Sequence, residues 1–262
     1  MTKFANRAPA GFCSWLSGNV QKDEYGREYR YHPRSDSHSK AMARVVIADL
    51  CRTVPQLRAA STFGLAFAIN CRFTFPGTQK AKTVDVALGK PQRTIKEVLE
   101  GVPLAEKLDE LILSCELKAV MTEHGKAQPR VFDELSSSHD IVHRSLPHAI
   151  AAGLTVVNIA PTFISPLRQF GANPPTMTKH KQPHATRRMV EHLRGLPIRG
   201  SATTSGFDAY ATIVISCDNE NAASLHEELP APQPGESDHY DTFMDRLGKA
   251  VTARIGNAPT LP

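Results

Sequence analysis

The sequence predicts an α/β fold in which a central mixed β-sheet is flanked by helices. Residues 64–75 alternate apolar and polar side chains, which is typical of a strand with one face against a core. Residues 153–160 are almost continuously apolar, as expected for a strand buried on both faces. Residues 37–54 instead repeat apolar side chains at helical spacing. Because helices and strands interleave along the chain, we expect one α/β domain.

The first third of the chain predicts an irregular segment, a helix and two strands. Residues 1–36 mix aromatic, glycine and charged residues without periodicity, so we expect an N-terminal arm. The helix over 37–54 is closed by Pro55, which cannot continue it. The strand over 64–75 keeps all its odd-numbered side chains on one face and turns at Pro76. A second strand follows at 83–88.

The rest of the chain adds helices and strands in alternation. Thr94 and Glu97 form a capping box, which predicts a short helix to about Leu99. Pro129 suits a first helical turn and predicts a helix over 129–143. The other predicted elements are strands at 111–120, 153–160 and 209–217 and helices at 184–194 and 239–255.

Charge is distributed unevenly along residues 1–262, which we expect to form a single domain. The net charge of +5 combines +5 over residues 1–62, zero over 63–160, +6 over 161–207 and −6 over 208–262. The core would be residues 37–160, followed by a loop-rich basic insertion at 161–207 and a C-terminal strand and helix at 208–262. Two basic segments on either side of a neutral middle favour a polyanionic partner.

Several classes of protein are not supported by the sequence. The five cysteines form no C-x-x-C pair and predict buried free thiols rather than a disulfide framework. No apolar run approaches the roughly 18 residues of a membrane span, and the N-terminus lacks a secretory signal, so we expect a cytoplasmic protein. Phosphate-loop and dinucleotide-binding glycine motifs are absent, so no nucleotide cofactor is expected.

Two predicted strands carry charges where a buried sheet is normally apolar. In the strand at 83–88, Val84, Val86 and Leu88 share one face, and Asp85 points to the other. In the strand at 111–120, Glu116 and Lys118 lie two positions apart and therefore share the face opposite the apolar one. If the strands are neighbours, the three side chains meet.

Such a group suits metal-dependent hydrolysis of a phosphodiester. Two carboxylates form a hard oxygen site suited to Mg²⁺, which keeps several of its waters. The metal activates bound water, while the ammonium of Lys118 orients that water or neutralises charge developing at phosphorus. The alternative is purely structural: a Glu116–Lys118 ion pair at a sheet edge, with Asp85 in a turn.

Asp85 and, 31 residues later, the Glu116-Leu117-Lys118 triplet resemble the motif of the PD-(D/E)XK nuclease superfamily, which includes most type II restriction endonucleases. The similarity covers residues 37–160; Val84 replaces the proline of the motif. The resemblance implies a restriction-endonuclease-like core and a Mg²⁺-dependent endodeoxyribonuclease in which Mn²⁺ substitutes. Asp85 and Glu116 would be catalytic metal ligands, Lys118 would assist the water, and Asp49 on the leading helix would be a further acidic residue.

The expected partner is double-stranded DNA, bound by a homodimer when the target is palindromic. Basic side chains attract phosphates regardless of sequence, and arginine can also bind guanine edges. The candidate DNA-contacting residues are Arg130, Lys179, Lys181, Arg187, Arg188, Arg194 and Arg199. Two alternatives remain for them: Arg130 pairs with Glu134 on a solvated helix face, and the basic insertion packs on the acidic C-terminal segment. A repair or junction-resolving nuclease and a non-cleaving DNA-binding protein remain the alternative functions.

Overall fold

The structure, a computed structural model, is built around an eight-stranded mixed β-sheet. The structure describes residues 8–22, 25–58, 64–78, 81–92, 95–168, 176–201 and 203–256. Its helices are α1 (Ala8–Gly18), α2 (Ser37–Thr53), α3 (His124–Ser145), α4 (His184–Leu193) and α5 (Tyr240–Gly256). Its strands are β1 (Gln21–Lys22), β2 (Glu28–Tyr29), β3 (Ala66–Thr74), β4 (Ala81–Pro91), β5 (Ile95–Leu99), β6 (Val102–Ala105), β7 (Leu108–Val120), β8 (Ile150–Asn158), β9 (Thr162–Ile164), β10 (Met177–Lys179), β11 (Ala209–Ser216) and β12 (Ser224–Leu225).

The strand order across the large sheet is β12-β11-β8-β7-β4-β3-β6-β5. β3, β4 and β7 pair antiparallel, whereas β7, β8 and β11 pair parallel. α3 is the crossover that parallel β7 and β8 require. The prediction of an α/β fold with a central mixed sheet flanked by helices is therefore confirmed.

Helices cover both faces of the sheet. Residues of α1, α2 and α5 share one core with the first face, including the fully buried Phe12, Ile47 and Phe243. Residues of α3 and α4, among them Leu135 and Met189, share a second core with the opposite face. The helices predicted at 37–54, 184–194 and 239–255 and the strands predicted at 64–75, 83–88, 111–120, 153–160 and 209–217 are confirmed, with small differences in their ends.

A backbone irregularity at Asn70 changes which face β3 presents. Asn70 has a φ of +50°, a left-handed conformation that asparagine tolerates better than most residues. Phe67, before it, packs in the α1–α2–α5 core, whereas Phe73, after it, packs in the α3–α4 core. The prediction that the odd-numbered side chains of 64–75 share one face is therefore wrong beyond Asn70.

The same change of face occurs on the neighbouring strand. Ile69 pairs with Val86 and Cys71 with Val84, so Asn70 and Asp85 lie between the same two pairs. Val86 belongs to the α1–α2–α5 core and Val84 to the α3–α4 core. The predicted common face for Val84, Val86 and Leu88 is therefore wrong at Val84.

Residues 95–99 form a strand, so the helix predicted from the capping box is wrong. β5 and β6 form an antiparallel hairpin, closed where Leu99 pairs with Val102. The two turn residues, Glu100 and Gly101, have φ of +52° and +83°, as a tight type I′ hairpin turn requires. β6 also pairs with β3, which joins the hairpin to the large sheet. The stabilisation from these strand pairings exceeds that of a local capping motif. Thr94 lies outside the described residues.

The predictions of an irregular arm over residues 1–36 and of a helix over 129–143 are also corrected. The expected irregular arm contains α1, which buries Phe12 and Leu16; residues 1–7 lie outside the described part. α3 begins at His124 rather than at Pro129, which lies inside the helix. Pro129 is the sixth residue of α3, so it removes the backbone hydrogen bond that an amide at this position would donate to the Gly125 carbonyl.

Part of the basic insertion, residues 161–207, folds into regular secondary structure. α4 buries Met189 and Leu193 against the α3–α4 core, and β9 pairs with β10. Residues 169–175 lie outside the described part. All five cysteines are buried free thiols, as predicted. Among the described residues, no helix is both long and apolar enough to cross a membrane.

Candidate active site

Antiparallel pairing of β4 with β7 brings Asp85 beside Glu116. Val86 pairs with Cys115, so Asp85 and Glu116 are the next residues along the two strands. The Leu117 amide donates a hydrogen bond of 2.7 Å to Asp85 Oδ2. The two predicted acidic residues therefore lie on adjacent strands, with the Asp85 carboxylate against the backbone of the Glu116-Leu117-Lys118 triplet.

Glu116 is a buried carboxylate held between two lysines. Its side chain is 7% exposed; Lys118 Nζ lies 2.8 Å from Oε1, and Lys82 Nζ lies 2.9 Å from Oε2. Ser138 of α3 donates to Oε2 over 3.2 Å and accepts from Lys82 over 2.7 Å. Burial alone raises the pKa of Glu116, but Lys82 and Lys118 outweigh it, so the pKa lies below its ordinary value. We call Asp85, Glu116, Lys118 and Lys82 the carboxylate–lysine cluster.

Helix α3 holds Lys118 in place from the other side. Lys118 Nζ lies 3.0 Å from Glu134 Oε2, and Arg130 Nη1 lies 2.9 Å from Glu134 Oε1. Burial lowers the pKa of Lys118, but Glu116 and Glu134 raise it further, so the net shift is upward. Lys118 therefore carries its proton at neutral pH and acts as a hydrogen-bond donor and positive charge.

Asp85 differs from Glu116 in its protonation. Burial and the neighbouring charge of Glu116 raise the pKa of Asp85 from 3.8 to about 6, against the opposing effects of the Leu117 amide, Lys118 and Lys82. The two carboxylates thus have pKa values displaced in opposite directions. Ionisation of both would be favoured by a cation between them, which is a common arrangement in active sites.

Replacing Asp85 with asparagine should stabilise the chain without metal. Between about pH 4 and pH 6 the folded state retains a proton that the unfolded state has released, so this group's contribution to stability falls as pH rises through that window. At pH 7.5 the ionised group remains a penalty, and Asp85→Asn should raise the free energy of unfolding by about 1–2 kcal/mol. Urea unfolding at pH 7.5 and pH 3.5 would measure this, with the difference vanishing at the lower pH.

The exposed Asp109 of β7 provides a matched control, Asp109→Asn, for which we expect no change at either pH. If Asp85→Asn were less stable than the wild type at pH 7.5, the ionised Asp85 carboxylate would not be destabilised by its surroundings.

The donor set of the carboxylate–lysine cluster fits Mg²⁺ better than a transition metal. The described residues contain no group of three or more His, Cys, Asp or Glu side chains that could hold a metal ion. Two carboxylates suit Mg²⁺, which uses few protein ligands and keeps its waters. Lys118 and Lys82 already contact the two oxygens of Glu116, so a cation bound there would replace part of their charge.

The purely structural alternative is correct in one part and wrong in two. The Glu116–Lys118 ion pair exists. However, β7 lies inside the sheet between β4 and β8, and Asp85 lies within a strand rather than in a turn. An ion pair at a sheet edge therefore does not describe this site.

Asp49 lies apart from the cluster. It is fully buried on α2, where its carboxylate accepts from the Ala8 amide over 2.7 Å and from the Tyr240 hydroxyl over 3.1 Å and pairs with Arg52. These partners belong to the α1–α2–α5 side of the sheet, whereas Glu116 contacts α3. The structure therefore does not support Asp49 as a further acidic residue of the cluster.

The predicted DNA-contacting residues fall into two groups. Arg194 pairs with Asp238 and Glu236, and Arg199 pairs with Asp208, so the alternative of packing on the acidic C-terminal segment is correct for these two. Arg130 pairs with Glu134, as its own alternative proposed. The other four are exposed, and none has an ion pair within the described ranges: Lys179, Lys181, Arg187 and Arg188.

Three residues of the site were missed from the sequence. Lys82, Glu134 and Ser138 complete the contacts of Glu116 and Lys118. A signal existed for Lys82, since it is a further charge on the strand of Asp85. The contact of Glu134 with Lys118 has no local signal in the sequence, because it depends on how α3 packs on β7.

Comparison of the chain with protein-family models gave no match, and comparison with curated proteins gave none either.

Proposed function

We propose that the protein is a Mg²⁺-dependent endodeoxyribonuclease of the PD-(D/E)XK kind, which hydrolyses phosphodiester bonds in double-stranded DNA as a type II restriction enzyme does. The observation that supports this most is the placement of Asp85 and Glu116 on adjacent strands, with Lys118 Nζ 2.8 Å from Glu116. Two carboxylates and one ammonium supply the charges that such a reaction needs.

Each residue of the cluster has a role in this proposal. Asp85 and Glu116 would hold Mg²⁺, which polarises the phosphodiester and lowers the pKa of its bound water. Lys118, kept protonated by its acidic neighbours, orients the attacking water and neutralises charge developing at phosphorus. Glu134 and Arg130 fix the direction of the Lys118 side chain. Lys82 and Ser138 hold the second oxygen of Glu116.

A second candidate is a DNA-binding protein of this fold that does not cleave. Lys82 and Lys118 together satisfy both oxygens of Glu116 without any metal, which is the arrangement expected of a purely structural charge cluster. In that case the exposed cations of β10 and α4 would still bind phosphates.

Incubating the purified chain with supercoiled plasmid, linear duplex and a four-way junction, in Mg²⁺ or in EDTA, tests the proposal. Discrete duplex fragments that require Mg²⁺ are expected, and Mn²⁺ should substitute. Cleavage confined to the junction would instead assign a junction-resolving nuclease. Binding of duplex without cutting in either metal would favour the non-cleaving candidate and contradict the proposal.

A further inference from the structure

A cleft lies at the end of the parallel strands, away from the carboxylate–lysine cluster. It has a volume of about 430 Å³ and lies between the first turn of α3, β10 and the first turn of α4. β7 leads into α3 at this end, and Asn158, which ends β8, contacts the wall of the cleft. Crevices at the carboxyl ends of parallel strands are the usual ligand sites of α/β sheets.

The lining of this cleft is strongly basic. Its cationic residues are Lys126, Lys179, Lys181 and Arg188. Lys126 lies 3.2 Å from Glu123, the acidic residue of the lining. Lys179, Lys181 and Arg188 have no ion pair among the residues that the structure describes. Three exposed cations around one concavity repel each other, and this repulsion is relieved when an anion binds between them.

Two histidines form a rigid wall behind these cations. His180 Nδ1 donates to the Ala160 carbonyl, and the Thr122 hydroxyl bonds to Nε2, both over 2.9 Å. His124 is 4% exposed, and its Nε2 donates to the Asn158 carbonyl over 2.7 Å. Both rings are therefore fixed before any ligand arrives, which lowers the entropy lost on binding.

Asn158 ties the elements around the cleft together. Its side-chain amide donates to the Met121 and Cys217 carbonyls, over 3.0 and 2.7 Å. Its backbone carbonyl accepts from Thr186 of α4 and from Gln182, which precedes that helix, as well as from His124. The bases of α3 and α4 are thus attached to one residue at the end of β8, and both helices begin at the cleft.

We propose that this cleft binds a backbone phosphate of the DNA strand that crosses the carboxylate–lysine cluster. That the phosphate belongs to DNA rests on the proposed function. The cations and the shape of the cleft are independent of it. Thr122, which bonds to His180 of the cleft, follows Lys118 by four residues, a separation of at most about 14 Å for extended chain. Such a span covers about four phosphates of one strand, at ~3.4 Å of helix axis each. One duplex can therefore reach both places.

Fluorescence anisotropy with a labelled duplex tests the inference in a Glu116→Gln background with EDTA, so that cleavage plays no part. Lys181→Ala and Arg188→Ala should each weaken binding about tenfold. Each should also reduce the slope of log affinity against log salt by about 0.9. Arg254→Ala is the matched control, since Arg254 is exposed on α5, on the other face of the sheet. Its affinity should equal that of the parent.

The outcomes separate this inference from the proposed function. If Lys181→Ala and Arg188→Ala bind duplex as tightly as Arg254→Ala does, the inference is overturned, even if the wild-type chain cleaves DNA. Weaker duplex binding by Lys181→Ala and Arg188→Ala would support the inference, even if the wild-type chain never cleaves. Calorimetry with dAMP and with inorganic phosphate forms a second arm. If the same variants lose binding of dAMP or phosphate but keep that of duplex, the cleft serves a small ligand and the inference is overturned.

Discussion

Replacing Lys118 with alanine should lower the rate of Mg²⁺-dependent DNA cleavage by about 10²- to 10³-fold. The variant removes the ammonium that contacts both Glu116 and Glu134, so in the proposed reaction the charge developing at phosphorus would lose its neutralising group. DNA affinity should change little, because the cleft cations remain. Single-turnover cleavage, with enzyme in excess over plasmid, measures the chemical step directly.

Lys90→Ala is the matched control for this experiment. Lys90 is an exposed lysine on β4 whose partner is Glu110, and its removal should leave the cleavage rate unchanged. Circular dichroism should show both variants folded, since Lys82 still neutralises Glu116 when Lys118 is absent. A Lys118→Ala protein that cleaves at the wild-type rate would show that Lys118 has a structural role only.

Replacing Asp49 with alanine should lower the free energy of unfolding by about 3–5 kcal/mol. The carboxylate is fully buried, and its loss leaves the Ala8 amide and the Tyr240 hydroxyl without their acceptor. Arg52 also loses its partner. Urea denaturation measures the change, and cleavage assayed at a temperature where the variant is folded should remain close to that of the wild type.

Asp245→Ala controls for the loss of a carboxylate from a helix. Asp245 is exposed on α5 and pairs with Lys249, so its removal should cost under about 1 kcal/mol. If Asp49→Ala abolished cleavage at unchanged stability, Asp49 would act in the reaction, as the resemblance to the nuclease family implies.

The elements that could be predicted from the sequence are those whose signal is local. The periodicity of α2 and the continuous apolar run of β8 each follow from the residues of one element. The placement of Asp85 and of Glu116 on strands also follows from the sequence, because both interrupt runs that are otherwise apolar. That the two strands are neighbours follows only from the pairing of β4 with β7.

Elements whose structure depends on distant partners were predicted wrongly. The capping box near Glu97 is satisfied locally by a helix, yet β5 gains a hairpin partner and, through β6, the sheet. α1 carries no strong periodic pattern, and its N-terminal amide is bound by Asp49, which lies 41 positions away in sequence. No reading of residues 8–18 alone contains that contact.

The contact of Lys82 with Glu116 shows why the site could be predicted only in part. In a regular strand, Lys82 and Asp85 are three positions apart and face opposite sides. The break at Asn70 and Asp85 moves Val84 into the α3–α4 core, and Lys82, two positions before it, reaches Glu116 and Ser138 on that side. Likewise, Arg194 and Arg199 were expected to meet DNA, but folding places acidic residues against them.

The central claim is that Asp85 and Glu116 together hold the cation that activates the phosphodiester. Its most direct test is the rate of plasmid cleavage by Asp85→Asn and by Glu116→Gln, measured over a titration of Mg²⁺. Both substitutions keep the size of the side chain and remove only its charge. Each variant is expected to show only background cleavage at every Mg²⁺ concentration while still binding duplex. Cleavage by either variant at the wild-type rate would contradict the claim.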